Sequence, residues 1–256
     1  MRIAIKIGTS TLTYPNGCLN IRSTENLCKI FCDIKNSGNE VIVVSSGAVA
    51  MGVGKLALKE RPKDMPTKQA AAAVGQCELM YTYDKMFSEY NQTVAQILIT
   101  GDDLTHEDRY INFTNTVNRL LEFGVIPIIN ENDTVVTDEI KVGDNDTLSA
   151  YVARSAGADM LVIMSDINGL YTANPQLDSS ATLIECVEEL TPEIMALGGG
   201  AGSALGTGGM KTKLDAAKIC TEAGCEMVIM NGKKPELLYE LIDGRNVGTR
   251  FKAVKK

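Results

Sequence analysis

The sequence predicts an α/β protein: a parallel-rich sheet with helices on both faces. Two observations carry this. Short runs rich in Val and Ile alternate with helix-period segments, and polar and glycine residues collect at the same end of successive runs. Alternation of that kind gives parallel strands joined by crossover helices. Ligands of such sheets bind beyond the carboxyl ends of the strands.

Residues 3–7 read as the first strand, running into Gly8-Thr9. Residues 22–37 have helical periodicity and stop near Gly38. Residues 41–45 form an apolar strand that ends in Ser46-Gly47, which open a short helix closing at Gly52-Val-Gly54-Lys55. A long helix is expected over 68–90, with Met80, Tyr83, Phe87 and Tyr90 roughly on one face. Packing of that face on the protein's own sheet is favoured over its use as a dimer surface. Residues 94–99 are a third strand, 109–123 a helix stopping at Gly124, and 125–130 a buried strand despite Pro127. A helix over 147–156, a strand over 160–165, a helix over 210–223 and a strand over 227–230 complete the pattern. A lobe boundary is expected near 141–146.

Composition excludes several classes of function. Net charge is −7, and the Lys252, Lys255, Lys256 tail is the only local basic cluster, which argues against a nucleic-acid partner. No apolar run approaches the roughly 18 residues of a membrane span. The seven cysteines are scattered without a C-x-x-C pair. Cys28 and Cys32 share a helix face but suit a buried apolar role better than a metal site. Free thiols fit a reducing cytoplasm.

The chemistry concentrates in a few places. Lys6 stands just before the end of the first strand, and Gly206-Thr207-Gly208-Gly209-Met210-Lys211-Thr212-Lys213 leads into a helix. In both, backbone N–H groups can face an anion beside a flexible cation. Two such elements on two halves of one chain suggest a phosphoryl group held from both sides. The G-x-x-x-x-G-K-[ST] string is absent, so this is not a P-loop arrangement. Asp144-Asn145-Asp146 before an apolar helix is an ordinary capping signature, yet Asp146 could pair with both lysines and hold them in position. The Asn130–Asp133 cluster can recognise an amino group or merely form an Asx turn. N–H groups at Ser46 and Gly47 suit a carboxylate. His106, the only histidine, reads as a surface residue.

The strings IKIGTS at 5–10, VSSGAVAMG at 44–52, IINENDTV at 128–135, KVGDNDTLSA at 141–150, SDINGLYTANP at 165–175 and GTGGMKTKLDAA at 206–217 resemble, together and in order, the γ-glutamyl kinases (glutamate 5-kinases) of the amino acid kinase family. The resemblance implies a three-layer α/β/α sandwich around a mostly parallel sheet. It implies one domain over 1–256, with a substrate lobe of about 1–145 and an ATP lobe of about 146–256. The implied reaction moves the γ-phosphoryl of ATP, with Mg²⁺, to the side-chain carboxylate of L-glutamate, the first step of proline biosynthesis. Proline is an implied feedback inhibitor, and a homo-oligomer is expected. Lys6 and Lys213 would stabilise the moving phosphoryl, with Asp146 orienting them. Ser46, Gly47, Asp133 and Asn145 would hold glutamate. Lys6, Gly8, Ser165, Asp166 and the Thr207–Lys213 stretch would hold ATP. Ser165 stands where relatives commonly have threonine, and the hydroxyl is kept. Many relatives also carry a C-terminal PUA-like domain; the chain stops soon after Phe251 and is expected to be the kinase domain alone. The alternatives are another acceptor (acetylglutamate, aspartate, carbamate or a nucleoside monophosphate) or a non-catalytic sensor.

Overall fold

The computed structural model describes residues 1–136, 144–199 and 209–254. The first half runs β1 (Arg2–Ile7), α1 (Thr9–Leu12), α2 (Ile21–Asn36), β2 (Glu40–Ser45), α3 (Ala48–Lys55), α4 (Met65–Ser88), β3 (Val94–Ile99), α5 (Gly101–Thr105), α6 (Glu107–Glu122) and β4 (Ile126–Glu131). The second runs α7 (Asn145–Ser155), β5 (Met160–Ser165), β6 (Cys186–Val187), α8 (Pro192–Ala196), a 3₁₀ turn (Leu197–Gly199), α9 (Met210–Glu222), β7 (Glu226–Asn231), α10 (Leu237–Ile242) and β8 (Thr249–Phe251).

The eight strands form one sheet in the order β3-β4-β2-β1-β5-β7-β8-β6. Every pairing is parallel except β7 with β8. Strand alternation divides the core in two. Ile3, Ile5 and Ile7 of β1 pack with Val41, Val43, Leu27, Phe31, Tyr83 and Phe87 on the α2/α4 face. Ala4, Ile42, Val44, Leu161 and Ile163 pack with Phe113, Val117, Leu148, Val152 and Leu214 on the α6/α7/α9 face. Three layers result because each strand of the middle of the sheet is apolar on both sides.

β1 is the switch strand. From it the chain moves outward through β2 to the edge strand β3, fills the gap between them with β4, then returns to the other side of β1 for β5 and β7. Crossovers leaving one strand pair in opposite directions open a crevice at the carboxyl ends, where ligands of this architecture sit. Lys6, Ser46 and Ser165 all lie at or beside that edge.

Several expectations need correction. α4 begins at Met65, because Asp64 caps it through Thr67 N–H at 2.9 Å and Pro66 fits its first turn. It ends at Ser88, so Tyr90 lies beyond the helix and is exposed, while Tyr83 and Phe87 are fully buried on the sheet. α7 starts two residues before 147, because Asp144 rather than Asp146 is its cap. α1, α5, α8, α10, β6 and β8 carry no periodicity long enough to read, and docking on neighbouring elements defines them. The expected lobe boundary falls largely on 141–143, outside the described residues. Among the described residues, no helix is long and apolar enough to cross a membrane.

α3 and α4 touch through glycine. A Cβ on Gly75 would stand 1.7 Å from Ala48 O, and one on Gly52 would stand 1.8 Å from Ala71 O. Neither neighbour is a side chain that can turn away. Gly75→Ala is therefore expected to force the helices apart and cost about 3 kcal/mol or more. The denaturation midpoint of that variant measures the effect; a stability equal to the parent would contradict this packing.

Candidate active site

Lys6 is the next-to-last residue of β1, on the face opposite Ile5 and Ile7. An ammonium leaving a central strand needs a counter-charge. It meets Asp146 Oδ1 at 2.7 Å. Lys213, from the first turn of α9, meets Asp146 Oδ2 at 3.0 Å. One carboxylate thus bridges two ammonium groups that lie 207 positions apart in sequence, on different elements. Relative side-chain exposures are 0% for Asp146, 6% for Lys213 and 12% for Lys6. Among these three side chains, two positive charges stand against one negative.

The local sequence explains how Asp146 comes free for this. Asp144 takes the capping role, accepting from Thr147 N–H at 2.8 Å. Asn145 and Asp146 then fall in the first turn of α7, where the helix dipole favours a negative group. Burial presses the Asp146 carboxyl toward a higher pKa, but the Lys6 and Lys213 ammonium groups outweigh it and hold the carboxyl below its ordinary value. Thr212 Oγ1 also lies 3.1 Å from Asp146 Oδ2 and 2.9 Å from Gly209 O. Its single proton serves one of them at a time, so the hydroxyl is shared between the acidic bridge and the turn before α9.

On the β2/β4 side, Asn145 gathers the strand ends. Its Nδ2 lies 2.9 Å from Ser45 O, 2.9 Å from Ser46 Oγ and 3.0 Å from Asn130 Oδ1. The Ser46 N–H does not stand free for a carboxylate, as the sequence reading had it: it donates to Ile7 O at 3.1 Å. Gly47 caps α3 at φ +102°, a conformation that requires glycine. Asp133 is half-buried in the turn directly after β4. On the β5/β7 side, Ser165 Oγ donates to Asp166 Oδ1 at 3.1 Å. Met210 is half-buried and Lys211 exposed at the start of α9. Thr207 and Gly208, with the rest of 200–208, lie outside the described residues.

Gly8 and Gly209 have ordinary negative φ, so the backbone does not demand glycine there. Among the described residues, a Cβ on Gly209 would meet nothing within 4 Å, and one on Gly8 would meet only Met164 O at 3.5 Å and Lys6 Nζ at 3.9 Å. Neither the fold nor its packing uses the missing side chains. Open space at the starts of α1 and α9, beside two cations, suits an anion at this edge.

The sequence reading missed three residues. Gln76, on α4, accepts from Asn130 Nδ2 at 2.9 Å. At the end of β7, Asn231 Nδ2 donates to Asn168 Oδ1 at 2.8 Å, and just beyond it Gly232 N–H donates to Ser165 O at 2.7 Å. The strand-end rule, applied once more at Asn231-Gly232, would have found the last two. Nothing in the local pattern marks Gln76. His106 is exposed and bonds only to its own turn, through Asp102 O at 2.8 Å.

Comparison with known proteins gives the family. A model of the amino acid kinase family matches residues 1–231. A glutamate 5-kinase of Clostridium tetani is 55% identical over 253 residues, covering 99% of this chain and 95% of that protein. A glutamate 5-kinase of Clostridium acetobutylicum is 54% identical over 250 residues, covering 98% and 94%. One of Thermoanaerobacter sp. is 49% identical over 256 residues, covering all of this chain and 69% of that protein. Among solved structures, UMP kinase from Ureaplasma parvum superposes with a TM-score of 0.68 at 16% identity, covering 98% of each chain. Isopentenyl phosphate kinase from T. acidophilum gives 0.66 at 16% identity, covering 98% of this chain and all of that one. At such identity the structural likeness speaks for the fold alone. The chain belongs to the amino acid kinase family and, within it, to the glutamate 5-kinases.

Proposed function

We propose that this protein transfers the γ-phosphoryl group of ATP to the side-chain carboxylate of L-glutamate, giving L-glutamyl 5-phosphate and ADP. One observation carries the site assignment: Lys6 and Lys213 converge on Asp146 at the carboxyl edge of the switch strand. Attacking carboxylate and triphosphate are both anionic, so their approach needs fixed positive charge. The cluster offers it already oriented, because Asp146 holds both ammonium groups before substrate arrives.

In the proposed step a carboxylate oxygen of glutamate forms a bond to the γ-phosphorus while the bond from that phosphorus to the bridging oxygen of ADP breaks. No proton has to be removed, since a side-chain carboxyl is already ionised near neutral pH. The protein therefore needs no general base, and its task is alignment and charge stabilisation. Ser46, Gly47, Asp133 and Asn145, at the ends of β2 and β4 and at the start of α7, would hold glutamate. Gly8, Ser165, Asp166 and the stretch from Thr207 to Lys213 would hold ATP, with the bare α-carbons of Gly8 and Gly209 admitting its phosphates. This divides the chain into an acceptor half of about 1–145 and a nucleotide half of about 146–256, meeting at β1 and β5. Among the described residues, no group of three His, Cys, Asp or Glu side chains could hold a metal ion. Mg²⁺ would then enter with the triphosphate, as this hard, strongly hydrated cation commonly does.

Incubation with ATP, Mg²⁺ and L-glutamate, with hydroxylamine as trap, is expected to give glutamyl hydroxamate. No product above the enzyme-free control would defeat the assignment. Repeating the assay with L-proline tests the feedback inhibition that the family membership suggests, and light scattering tests the expected homo-oligomer.

A further inference from the structure

Gln76 lies in the interior of α4, far from any strand end in sequence, and is 7% exposed. Its carboxamide belongs to a chain of hydrogen bonds whose direction is fixed from one end. The Glu131 N–H can only donate, and it donates to Asn130 Oδ1 at 2.9 Å. Asn130 therefore presents Nδ2 to Gln76, and Gln76 must answer with Oε1, at 2.9 Å. The same Asn130 Oδ1 receives Asn145 Nδ2 at 3.0 Å. With Nδ2 drawn inward to Asn130, Ser45 O and Ser46 Oγ, the Asn145 amide has one orientation.

Gln76 makes this bond at a cost. Its Nε2 is buried and, among the described residues, has no hydrogen-bond partner. An orphaned buried donor is normally removed unless the group serves another purpose. A leucine or methionine would fill the same volume without that orphaned donor, but would leave Asn130 Nδ2 without its acceptor. The remaining purpose is the acceptor oxygen that faces Asn130. Two turns along the same face of α4, Tyr83 OH lies 2.9 Å from Ser45 Oγ. The helix thus braces the carboxyl ends of both β2 and β4 with buried polar groups.

We propose that Gln76 is a positioning residue for the amino-acid acceptor, acting through Asn130 to set the Asn145 and Ser46 side chains that meet it. The inference rests on the acceptor site proposed above. It predicts that damage at Gln76 appears in glutamate binding and spares ATP.

Gln76→Met removes the accepting oxygen. It exchanges one orphaned amide nitrogen, Gln76 Nε2, for another, Asn130 Nδ2, so Tm should fall by no more than about 4 °C. KM for glutamate should rise about tenfold, the worth of a misaligned hydrogen bond to a charged group, with KM for ATP unchanged. Gln76→Glu keeps the accepting oxygen and should return KM for glutamate to within about threefold of the parent. Gln76→Asn withdraws the acceptor by one methylene and should match Gln76→Met, giving a second folded variant if the first fails. A glutamate KM within twofold of the parent in a folded Gln76→Met or Gln76→Asn protein would overturn the proposal. So would a parallel rise in both KM values with a large loss of Tm, or a Gln76→Glu variant as impaired as Gln76→Met. Calorimetric titration of glutamate needs no turnover. It therefore separates failure of this inference from failure of the kinase assignment, which the hydroxamate assay on the parent protein reads.

Discussion

Lys213→Ala is expected to lower kcat by about a hundredfold or more, the usual loss when one preorganised donor to a developing charge is removed. The same is expected of Lys6→Ala. In the free protein each ammonium is spent partly on Asp146, at 3.0 and 2.7 Å. The site therefore does not owe its charge to either lysine alone. What each supplies is position: one from the central strand, the other from the helix that follows the glycine-rich segment. Charge builds on the phosphoryl oxygens only during transfer, so the loss should fall on kcat more than on KM for glutamate. Arginine should not rescue either site, because its planar fork cannot replace a compact ammonium at a carboxylate shared by two cations. The double variant should lose much less than the product of the single losses, since the two act on one group. Steady-state kinetics with the hydroxamate readout decides this, and near-normal turnover in either single variant would refute that lysine's role.

Asp146→Asn should give the largest change in stability. It leaves two ammonium groups facing each other, almost buried, without their shared counter-charge. Breaking a buried ionic cluster in this way costs about 3 kcal/mol or more, which for a chain of this size lowers Tm by roughly 6–12 °C. Adding ATP should recover more of that loss than it adds to the parent, because the phosphates replace the missing negative charge. The acid limb should change as well. The Asp146 carboxyl is held below its ordinary value in the folded protein, net of the opposing push of burial. Its contribution is therefore complete above the unfolded carboxyl value of about 3.9 and is lost as pH falls through the lower folded value. Asp146→Asn should flatten the parent's loss of stability below about pH 4. An unchanged melting curve, with no differential response to ATP, would mean that the cluster is not under electrostatic load.

Much of the candidate site was legible because the fold repeats one rule. A strand that ends in glycine or a polar residue at the sheet's carboxyl edge announces itself locally, as at Lys6-Ile7-Gly8, Ser45-Ser46-Gly47 and Ser165-Asp166. Gln76 escaped because it looks like any polar residue on a long helix. Its importance comes from α4 being drawn against α3 through Gly52 and Gly75, which sets the helix close enough for an amide to reach β4. Likewise, β6 and β8 are two and three residues long, and pairing rather than their own pattern makes them strands.

From the sequence alone came the layered architecture, the sheet edge where the candidate site lies, and the identity of the charged residues gathered there. Periodicity and turn chemistry are local properties and survive being read one residue after another. The structure alone decided which of Asp144 and Asp146 caps α7 and which bridges the lysines, and that Ser46 spends its N–H on Ile7. Those choices depend on distances across the sheet, which are fixed only when both halves of the chain pack on β1 and the buried polar groups must find partners.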